Sequence, residues 1–312
     1  MLIEKVIAPS AGVYNSIVNV GKMRNTGVEF DINWSDNYRG FEYNIGFNLT
    51  TTSNKMLKAD DNQVLYGTGL KYGTEHFPTQ TLKGNPVASF FLYRTDGIFQ
   101  TQEEADSYLD KNGNKMQPDA FAGDIKFKDV NGDGVLDEND KEYCGSGIPK
   151  VEANLSFGGS YKGIDLSFLI GSAWGNKLYN ANRYNYEAMN SGSNFLKSAL
   201  DAWTPEHRNT NVPRAVMDDF NGNSRESDRF LEDGDFIRLR QLQIGYTLPA
   251  KWMKKVYVDR CRFYVSGENL LTWTKYSGVD PEFSRSNILD TGVDSFIYPF
   301  TRSYVVGVQV TF

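Results

Sequence analysis

The final segment of the chain, residues 303–312, alternates between apolar and polar positions. Tyr304, Val306, Val308, Val310 and Phe312 are apolar, and the positions between them are mostly small or polar. A period of two residues predicts a strand with one apolar face. The segment is about as long as a tilted membrane-crossing strand, which needs roughly 9–11 residues. Its apolar face carries an aromatic residue at each end, as membrane barrel strands do, although a soluble edge strand would fit this one segment equally well.

The same alternation recurs along the chain. Further alternating segments are residues 26–35, 41–49, 151–161, 164–171, 236–248 and 262–272. Apart from 262–272, whose alternation does not define its faces, each segment has one apolar face, and the opposite face is rich in carboxylates, amides, glycine and serine. The pattern predicts an all-β, antiparallel fold with about eight to ten strands.

The connections between these segments fall into two classes by length. Short turns are expected at residues 36–40, 162–163 and about 249–260, and long loops at 51–150, 172–235 and 273–300. Short turns at one end and long loops at the other are typical of outer-membrane barrels. One short helical segment is predicted inside a loop, at residues 194–203. The aromatics expected to form a girdle near the short-turn ends are Trp34, Phe41, Tyr43, Tyr161, Tyr246 and Phe312.

Composition narrows the class of protein. The chain has 312 residues with a formal net charge of −6, which argues against a nucleic-acid-binding surface. No run approaches the roughly 20 apolar residues of a membrane helix. The 20 Phe, 18 Tyr and 29 Gly favour β structure with many turns.

One loop has the spacing of a calcium site. Residues 129–140 match the EF-hand loop, with Gly134 at the position of the sharp turn. The predicted ligands of a structural Ca²⁺ ion are Asp129, Asn131, Asp133, the Val135 carbonyl, Asp137 and Asp140. Asp140 replaces the usual glutamate, and its shorter side chain makes bidentate ligation less favourable. A solvated acidic turn is the alternative, because Asn, Gly and Asp are also turn residues.

Several motifs resemble those of the SusC/RagA-type TonB-linked outer-membrane transporters. They occupy residues 19–30 (NVGKMRNTGVEF), 123–128 (GDIKFK), 148–150 (IPK), 202–206 (AWTPE), 212–215 (VPRA), 231–240 (LEDGDFIRLR), 245–249 (GYTLP), 265–272 (VSGENLLT) and 276–282 (YSGVDPE). The motifs follow the order of the family and extend over nearly the whole chain.

The resemblance implies a large barrel that imports glycan oligosaccharides or peptides and is not an enzyme. It also implies a SusD-like surface lipoprotein as partner, energy from the TonB complex, and a place in the outer membrane of a Gram-negative, Bacteroidetes-like bacterium. The signal peptide, TonB box, plug and first strands of the family pattern are not found. The whole chain, residues 1–312, is therefore expected to be a C-terminal barrel portion, with TonB contacting the missing N-terminal part.

In such a barrel the two faces of each strand would have different surroundings. The apolar faces would contact outer-membrane lipid, and the polar face would line the lumen with Glu29, Asp31, Asn33, Asn44, Glu152, Asn154, Gln241 and Gln243. Candidate substrate-stacking aromatics in the loops are Trp174, Tyr184, Tyr186 and Trp273. Two alternatives stay open at this point: a soluble, calcium-stapled β-sandwich that binds carbohydrate, and a β-rich glycoside hydrolase, for which no carboxylate pair is evident.

Overall fold

The structure, a computed structural model, describes residues 2–5, 16–19, 21–58, 64–70, 75–190 and 194–312. The strands are β1 (Leu2–Lys5), β2 (Ser16–Asn19), β3 (Lys22–Thr26), β4 (Glu29–Tyr38), β5 (Phe41–Thr51), β6 (Ser53–Lys58), β7 (Leu65–Tyr66), β8 (Thr79–Thr81), β9 (Ser89–Tyr93), β10 (Thr95–Ile98), β11 (Ile125–Phe127), β12 (Lys141–Ser146), β13 (Val151–Tyr161), β14 (Ile164–Trp174), β15 (Lys177–Asn180), β16 (Leu231–Asp233), β17 (Phe236–Thr247), β18 (Arg260–Thr274), β19 (Val293–Asp294) and β20 (Ser303–Thr311). The α-helices are α1 (Gln102–Asp106), α2 (Ala181–Tyr186) and α3 (Ala250–Met253). Short 3₁₀ helices cover Glu138–Asp140, Lys197–Asp201, Asp228–Phe230, Lys254–Val256 and Ile288–Asp290.

The long strands form one open antiparallel sheet. Its order is β4-β5-β13-β14-β17-β18-β20, so long strands that follow one another in sequence are always neighbours. This up-and-down order agrees with the predicted antiparallel fold. The sheet has seven strands, fewer than the eight to ten expected, because the other strands of the described residues are short and lie in smaller sheets.

At one end of the sheet the strands are joined by short connections, as predicted. Strands β4 and β5 are joined by Arg39-Gly40, and β13 and β14 by Lys162-Gly163, with positive φ at both residues of each turn. Such two-residue turns match the twist of the strands they join. The first turn is therefore shorter than the expected 36–40. The third connection contains α3 and a 3₁₀ helix, which the alternation pattern did not predict.

A β-bulge lies at Arg240 in β17. The register shifts there on both sides of the strand, since Leu239 pairs with Ile170 and Leu271 whereas Gln241 pairs with Leu169 and Glu268. The extra residue lets Leu239 and Leu242 share the apolar face. It also places Arg238 and Arg240 on the polar face, where both bond Glu282.

The apolar face of the sheet is exposed rather than packed against a second layer. Residues that pair across neighbouring strands form apolar rows on this face. One row contains Ile244, Val265 and Val306, and Val306 is 81% exposed. Trp34 and Tyr304 are likewise exposed, at 59% and 72%. A β-sandwich would bury these stripes in a dry interior between two sheets. The sandwich alternative is therefore wrong for the described residues.

The polar face collects the residues predicted to line a lumen. Asp31 pairs with Asn48, which pairs with Asn154, and the two amide side chains are 2.9 Å apart. Asn44 and Gln243 fall on another row of the same face, through Gly158 and Ser167. The sheet therefore has one apolar and one polar side. In the described residues, no helix is long and apolar enough to span a membrane.

The hydrophobic core lies in the long loops. We define the loop cap as the described residues within 51–150, 172–235 and 273–300. One buried cluster combines Phe90 and Leu92 from the first loop, Tyr179 and Phe230 from the second, and Val293 from the third. Strand β15 pairs with both β16 and β19, which joins the second and third loops. The three loops therefore fold as one body.

The predicted helical segment at 194–203 is only partly helical. It contains a 3₁₀ helix at Lys197–Asp201, and Trp203 beyond it is buried against Phe127 and its neighbours. The apolar spacing thus marked residues that pack into the cap. The structure adds α1 and α2, which the spacing did not predict.

Candidate ligand-binding cleft

A cleft of about 1260 Å³ opens in the loop cap. Segments from all three long loops line it, including the end of α2 and the loop at 217–226. Its aromatic side chains are Tyr66, Phe77, Tyr93, Tyr184, Tyr186, Phe220 and Phe296, and its acidic side chains are Glu75, Glu138, Asp218, Asp219 and Glu226. Arg225 and His76 also line it. The cleft is larger than the roughly 300–1000 Å³ typical of sites for drug-sized ligands.

The aromatic wall is held by the cap core. Tyr184 packs against Phe230 with ring centroids 5.6 Å apart, and its hydroxyl lies 2.6 Å from Nδ1 of His76. Burial raises the pKa of Tyr184 well above its ordinary value, and the nearby carboxylates of Glu226, Asp219 and Glu75 raise it further. Tyr186 meets Phe296 edge-on, with centroids 5.5 Å apart. The wall is therefore rigid on the Tyr184 side and open at Phe296, which is 58% exposed.

Charged groups form the floor of the cleft. The Lys141 ammonium donates to Glu226 and, at 2.6 Å, to Glu138. Lys141 and Arg225 also lie over the ring of Tyr93, at 5.2 and 5.1 Å from its centroid. Burial raises the pKa of Tyr93, with the negative charge of Glu138 as the next cause. The floor thus alternates cations, an aromatic ring and carboxylates.

The arrangement is suited to binding. Aromatic faces offer stacking area, and carboxylates offer hydrogen-bond acceptors and negative charge. Both features suit either sugar rings or cationic side chains.

The structure separates the four predicted stacking aromatics into two pairs. Tyr184 and Tyr186 line the cleft. Trp174 pairs with Val151, and Trp273 with Ile237, so both tryptophans lie on the apolar face of the sheet at its cap end. Neither tryptophan lines the cleft.

The cleft includes residues that sequence reasoning missed. His76 comes from the first long loop, whereas Arg225 and Glu226 are consecutive residues of the second, and no spacing in the sequence relates the two segments. Glu226 lies two residues before Asp228. The Asp228 carboxylate accepts hydrogen bonds from the hydroxyl of Thr95 at 2.7 Å and from its backbone N–H at 3.1 Å. The link between these loop segments is visible only in the fold.

The calcium-like loop is shaped by bonds from carboxylates to its own backbone. Asp129 accepts from the N–H groups of Gly132 and Gly134, at 2.6 and 2.9 Å. Asp140, fully buried, accepts from Val130 at 2.8 Å and from Asp137 at 3.0 Å. Asp137 caps the 3₁₀ helix that follows. Gly132 and Gly134 have φ of +74° and +91°, as the predicted sharp turn requires.

The donor set is all oxygen, which suits a hard cation such as Ca²⁺. In the part of the chain that the structure describes, no group of three or more His, Cys, Asp or Glu side chains is placed to hold a metal ion. The ligands named from the spacing are near one another in sequence but face backbone amides. Calcium binding stays a prediction.

On the polar face of the sheet, an ion-pair cluster lies near the cap. Arg238 is buried and donates to Asp280, and its second terminal nitrogen is 3.3 Å from Glu282. Arg240, on the bulge, donates to Glu282 at 2.9 Å. The cluster ties β17 to the third long loop. The bulge that aims both guanidinium groups was not evident from the alternation.

Known proteins similar to this chain are receptors and transporters. No family model matches it. TonB-dependent receptor P3 of Formosa agariphila is 30% identical over all of this chain and 31% of its own length. TonB-dependent receptor SusC of Bacteroides thetaiotaomicron is 24% identical over all of this chain and 29% of its own length.

A solved structure shows the same likeness. The RagAB peptide transporter aligns with all of this chain and 32% of its own chain, at 25% identity and a TM-score of 0.72. The chain thus spans about a third of the length of the relatives it matches. These relatives agree with the prediction that the chain does not belong to an enzyme.

Proposed function

We infer that the chain is a segment of a SusC/RagA-type TonB-dependent receptor, and we propose that it supplies one part of the receptor's membrane barrel and a folded cap above it. Receptors of this family are outer-membrane proteins of Bacteroidetes. In this proposal the apolar face of the seven-stranded sheet contacts lipid, and the polar face lines a water-filled lumen.

The observation that carries the proposal is the exposed apolar face. Stripes running through Trp34, Ile244 and Val306 remain uncovered, while the cap buries its own core. Large exposed apolar surfaces are rare in soluble monomers and mark contact with a partner or a membrane. Strand lengths of 9–15 residues are long enough to cross a bilayer core, which takes roughly 9–11 residues.

We propose that the whole receptor imports peptides or glycan oligosaccharides. Support comes from the likeness to a RagAB peptide transporter and to SusC. The cap would contact a SusD-like surface lipoprotein, and the TonB complex would act through a part of the receptor outside this chain. Tyr184 and Tyr186 in the cleft are the proposed substrate contacts. A Ca²⁺ ion in the 129–140 loop would be a structural staple of the cap.

The lipid-facing assignment can be tested with neighbouring valines. Val305 lies on the polar row with Ser266 and Gln243, whereas Val306 lies on the apolar row with Val265 and Ile244. In the full-length receptor, Val306→Lys should cost about 2–4 kcal/mol if the site is near the bilayer midplane, and Val305→Lys much less. The readout is the folded receptor recovered from outer membranes, judged by its heat-modifiable migration on gels.

A water-exposed sheet would behave differently. Val305 and Val306 are both exposed, at 45% and 81%, so lysine would be tolerated at both positions if water covered both faces. Equal recovery of the two variants would therefore contradict the barrel assignment.

Import is tested in cells. Uptake of a labelled peptide mixture and of a labelled oligosaccharide mixture is measured. Deleting the full-length gene should abolish uptake of at least one of the two mixtures, and removing TonB should abolish uptake of the same one. Unchanged uptake of both mixtures would contradict the import function, whatever the result for the valine variants.

A further inference from the structure

We propose that the cleft in the cap selects cationic ligands, specifically short peptides that carry arginine or lysine side chains. The inference rests on the proposed import function and adds a substrate class to it. It depends on the charges, rings and open rim of the cleft.

Among the described residues that line the cleft, carboxylates outnumber cations. Leaving Glu75 aside, four acidic side chains line it, Glu138, Asp218, Asp219 and Glu226, against the single guanidinium of Arg225. Lys141 beneath the floor is already shared by Glu138 and Glu226. Among the described residues, Asp218 and Asp219 take part in no ion pair. A ligand that fills the cleft therefore meets uncompensated negative charge.

One of these carboxylates is held in place by the chain. Asp219 accepts from the backbone of Asn223 at 2.7 Å and from the backbone and hydroxyl of Ser224, at 2.8 and 2.7 Å. These bonds come from uncharged donors, so the negative charge remains. A fixed carboxylate binds a cation without the entropic cost of ordering a free side chain.

The chain's own cations already lie over an aromatic ring at the floor of the cleft. The Arg225 guanidinium is 5.1 Å from the ring centroid of Tyr93, and the Lys141 ammonium is 5.2 Å from it. Arg225 is also 4.5 Å from the centroid of Phe127, which is buried and outside the cleft lining. Cations over ring faces at such distances are attracted by the ring quadrupole. Tyr66, Phe220 and Phe296 offer similar ring faces at the mouth, where each is exposed.

Charge separates a basic peptide from a neutral sugar. Any ligand that displaces water from the carboxylates removes their hydration, which is costly unless an opposite charge replaces it. A guanidinium or ammonium group supplies that charge and can also stack on the aromatic rim. The exposed side chains of Met217 and Phe220 can cover the aliphatic stem of a basic residue.

The test first compares two peptides that differ in the charge of one side chain, and then a cationic sugar. The full-length receptor in detergent is titrated into fluorescein-labelled Gly-Tyr-Arg-Tyr-Gly and into its citrulline analogue, and anisotropy is measured at low and at high salt. The arginine peptide should bind about tenfold tighter at low salt, and salt should reduce the difference. A glucosamine tetramer, which is cationic but not a peptide, should bind more weakly than the arginine peptide.

Variants locate the effect. Asp218→Asn should reduce the advantage of arginine over citrulline about threefold. Glu206→Gln, an exposed carboxylate of the cap outside the cleft, should leave it unchanged. Phe296→Ala should weaken both peptides, since stacking does not require charge.

Several results would overturn the inference. They are equal affinity for the two peptides, tighter binding of the glucosamine tetramer than of the arginine peptide, or an Asp218→Asn effect no larger than that of Glu206→Gln. Import itself is judged separately by the uptake and valine experiments. A receptor that imports neutral oligosaccharides and ignores the arginine peptide would retain its proposed function and lose this selectivity.

Discussion

Gly123 is a position where one added methyl group would disturb the cap. Its φ is +91°, and a Cβ atom there would overlap the indole ring of Trp203, which is buried among Tyr93, Phe127 and their neighbours. Its amide donates to Phe99 at 2.8 Å, and its carbonyl accepts from Arg214 at 2.8 Å. The glycine in the GDIKFK motif is therefore explained by close packing as well as by backbone conformation.

Gly123→Ala should be more destabilising than Gly113→Ala. Both glycines have positive φ, but nothing lies within 4 Å of a Cβ atom at Gly113. The Gly113 variant therefore measures backbone strain alone, about 1 kcal/mol, and the Gly123 variant adds an overpacking cost of about 1–3 kcal/mol. The measurement is the denaturant midpoint of the cap in the full-length receptor. Equal losses would show that Trp203 moves aside freely.

The acidic loop gives a second prediction at this scale. If Ca²⁺ binds residues 129–140, adding it to chelator-treated receptor should slow hydrogen exchange in this loop. Asp133→Asn keeps the side-chain oxygen that accepts from Val135 at 2.8 Å but loses a charge. We expect it to weaken Ca²⁺ affinity about tenfold.

The control for the calcium prediction is Asp119→Asn, an exposed acid outside the loop. Exchange that is the same with Ca²⁺ and with chelator would favour the solvated acidic turn.

Among the elements, helix α2 shows how a short segment is fixed by charge. Arg183 bonds Glu187 through two nitrogens at 3.0 and 3.2 Å and reaches Glu232 at 3.0 Å. Arg229 adds a bond to Glu187 at 2.8 Å. A helix of 6 residues has little stability of its own, so these contacts and the burial of Tyr184 hold it.

The network predicts a loss of cap stability in acid. Burial raises the pKa of Glu187, but the hydrogen bonds and charges of Arg183 and Arg229 outweigh it and hold the pKa below its ordinary value of 4.5. A lowered pKa in the folded state contributes stability above about 4.5, and this contribution is lost as the pH falls through the folded value.

The acid effect should depend on Glu187. Glu187→Gln should destabilise the α2 region by about 3 kcal/mol at pH 7. It should also reduce the loss of stability of this region as the pH falls below about 4.5. The measurement is hydrogen exchange of residues 181–190, corrected for the intrinsic effect of pH on exchange. Glu206→Gln serves as the exposed control, and an unaltered acid profile in Glu187→Gln would count against the network.

At the scale of the whole molecule, the sheet and the cap differ in how they treat their apolar side chains. The sheet leaves its apolar face open, and the cap holds the clusters around Phe90, Phe127 and Phe99. Because the first cluster draws on all three long loops, each loop depends on the others for its buried surface. Long loops without such a core would be expected to be irregular.

Removing one shared side chain should therefore loosen all three loops. Phe230 is fully buried and contacts Tyr179 and Tyr184. Phe230→Ala should cost about 3–5 kcal/mol and expose 75–150, 172–190 and 273–300 together to limited proteolysis. Phe220→Ala, at a residue 77% exposed, is the matched control. Cleavage confined to the 228–230 region would show that the loops fold independently.

The sequence by itself determined the features that depend on neighbouring residues. Alternation assigned the long strands and their two faces, as the register through Asn48 and Asn154 confirms, and turn chemistry placed Lys162-Gly163. These are local properties, because side-chain direction follows from a period of two residues and turn type from two backbone conformations.

Only the tertiary structure decided how distant segments meet. It placed Trp174 and Trp273 on the apolar face, revealed the bulge at Arg240, and joined three loops around Phe90, Tyr179 and Val293. It also brought Tyr184, His76 and Glu226 to one cleft. The physical reason is that these contacts join residues separated by up to 200 positions or so, and their energy comes from shared burial and ion pairing that no local pattern records.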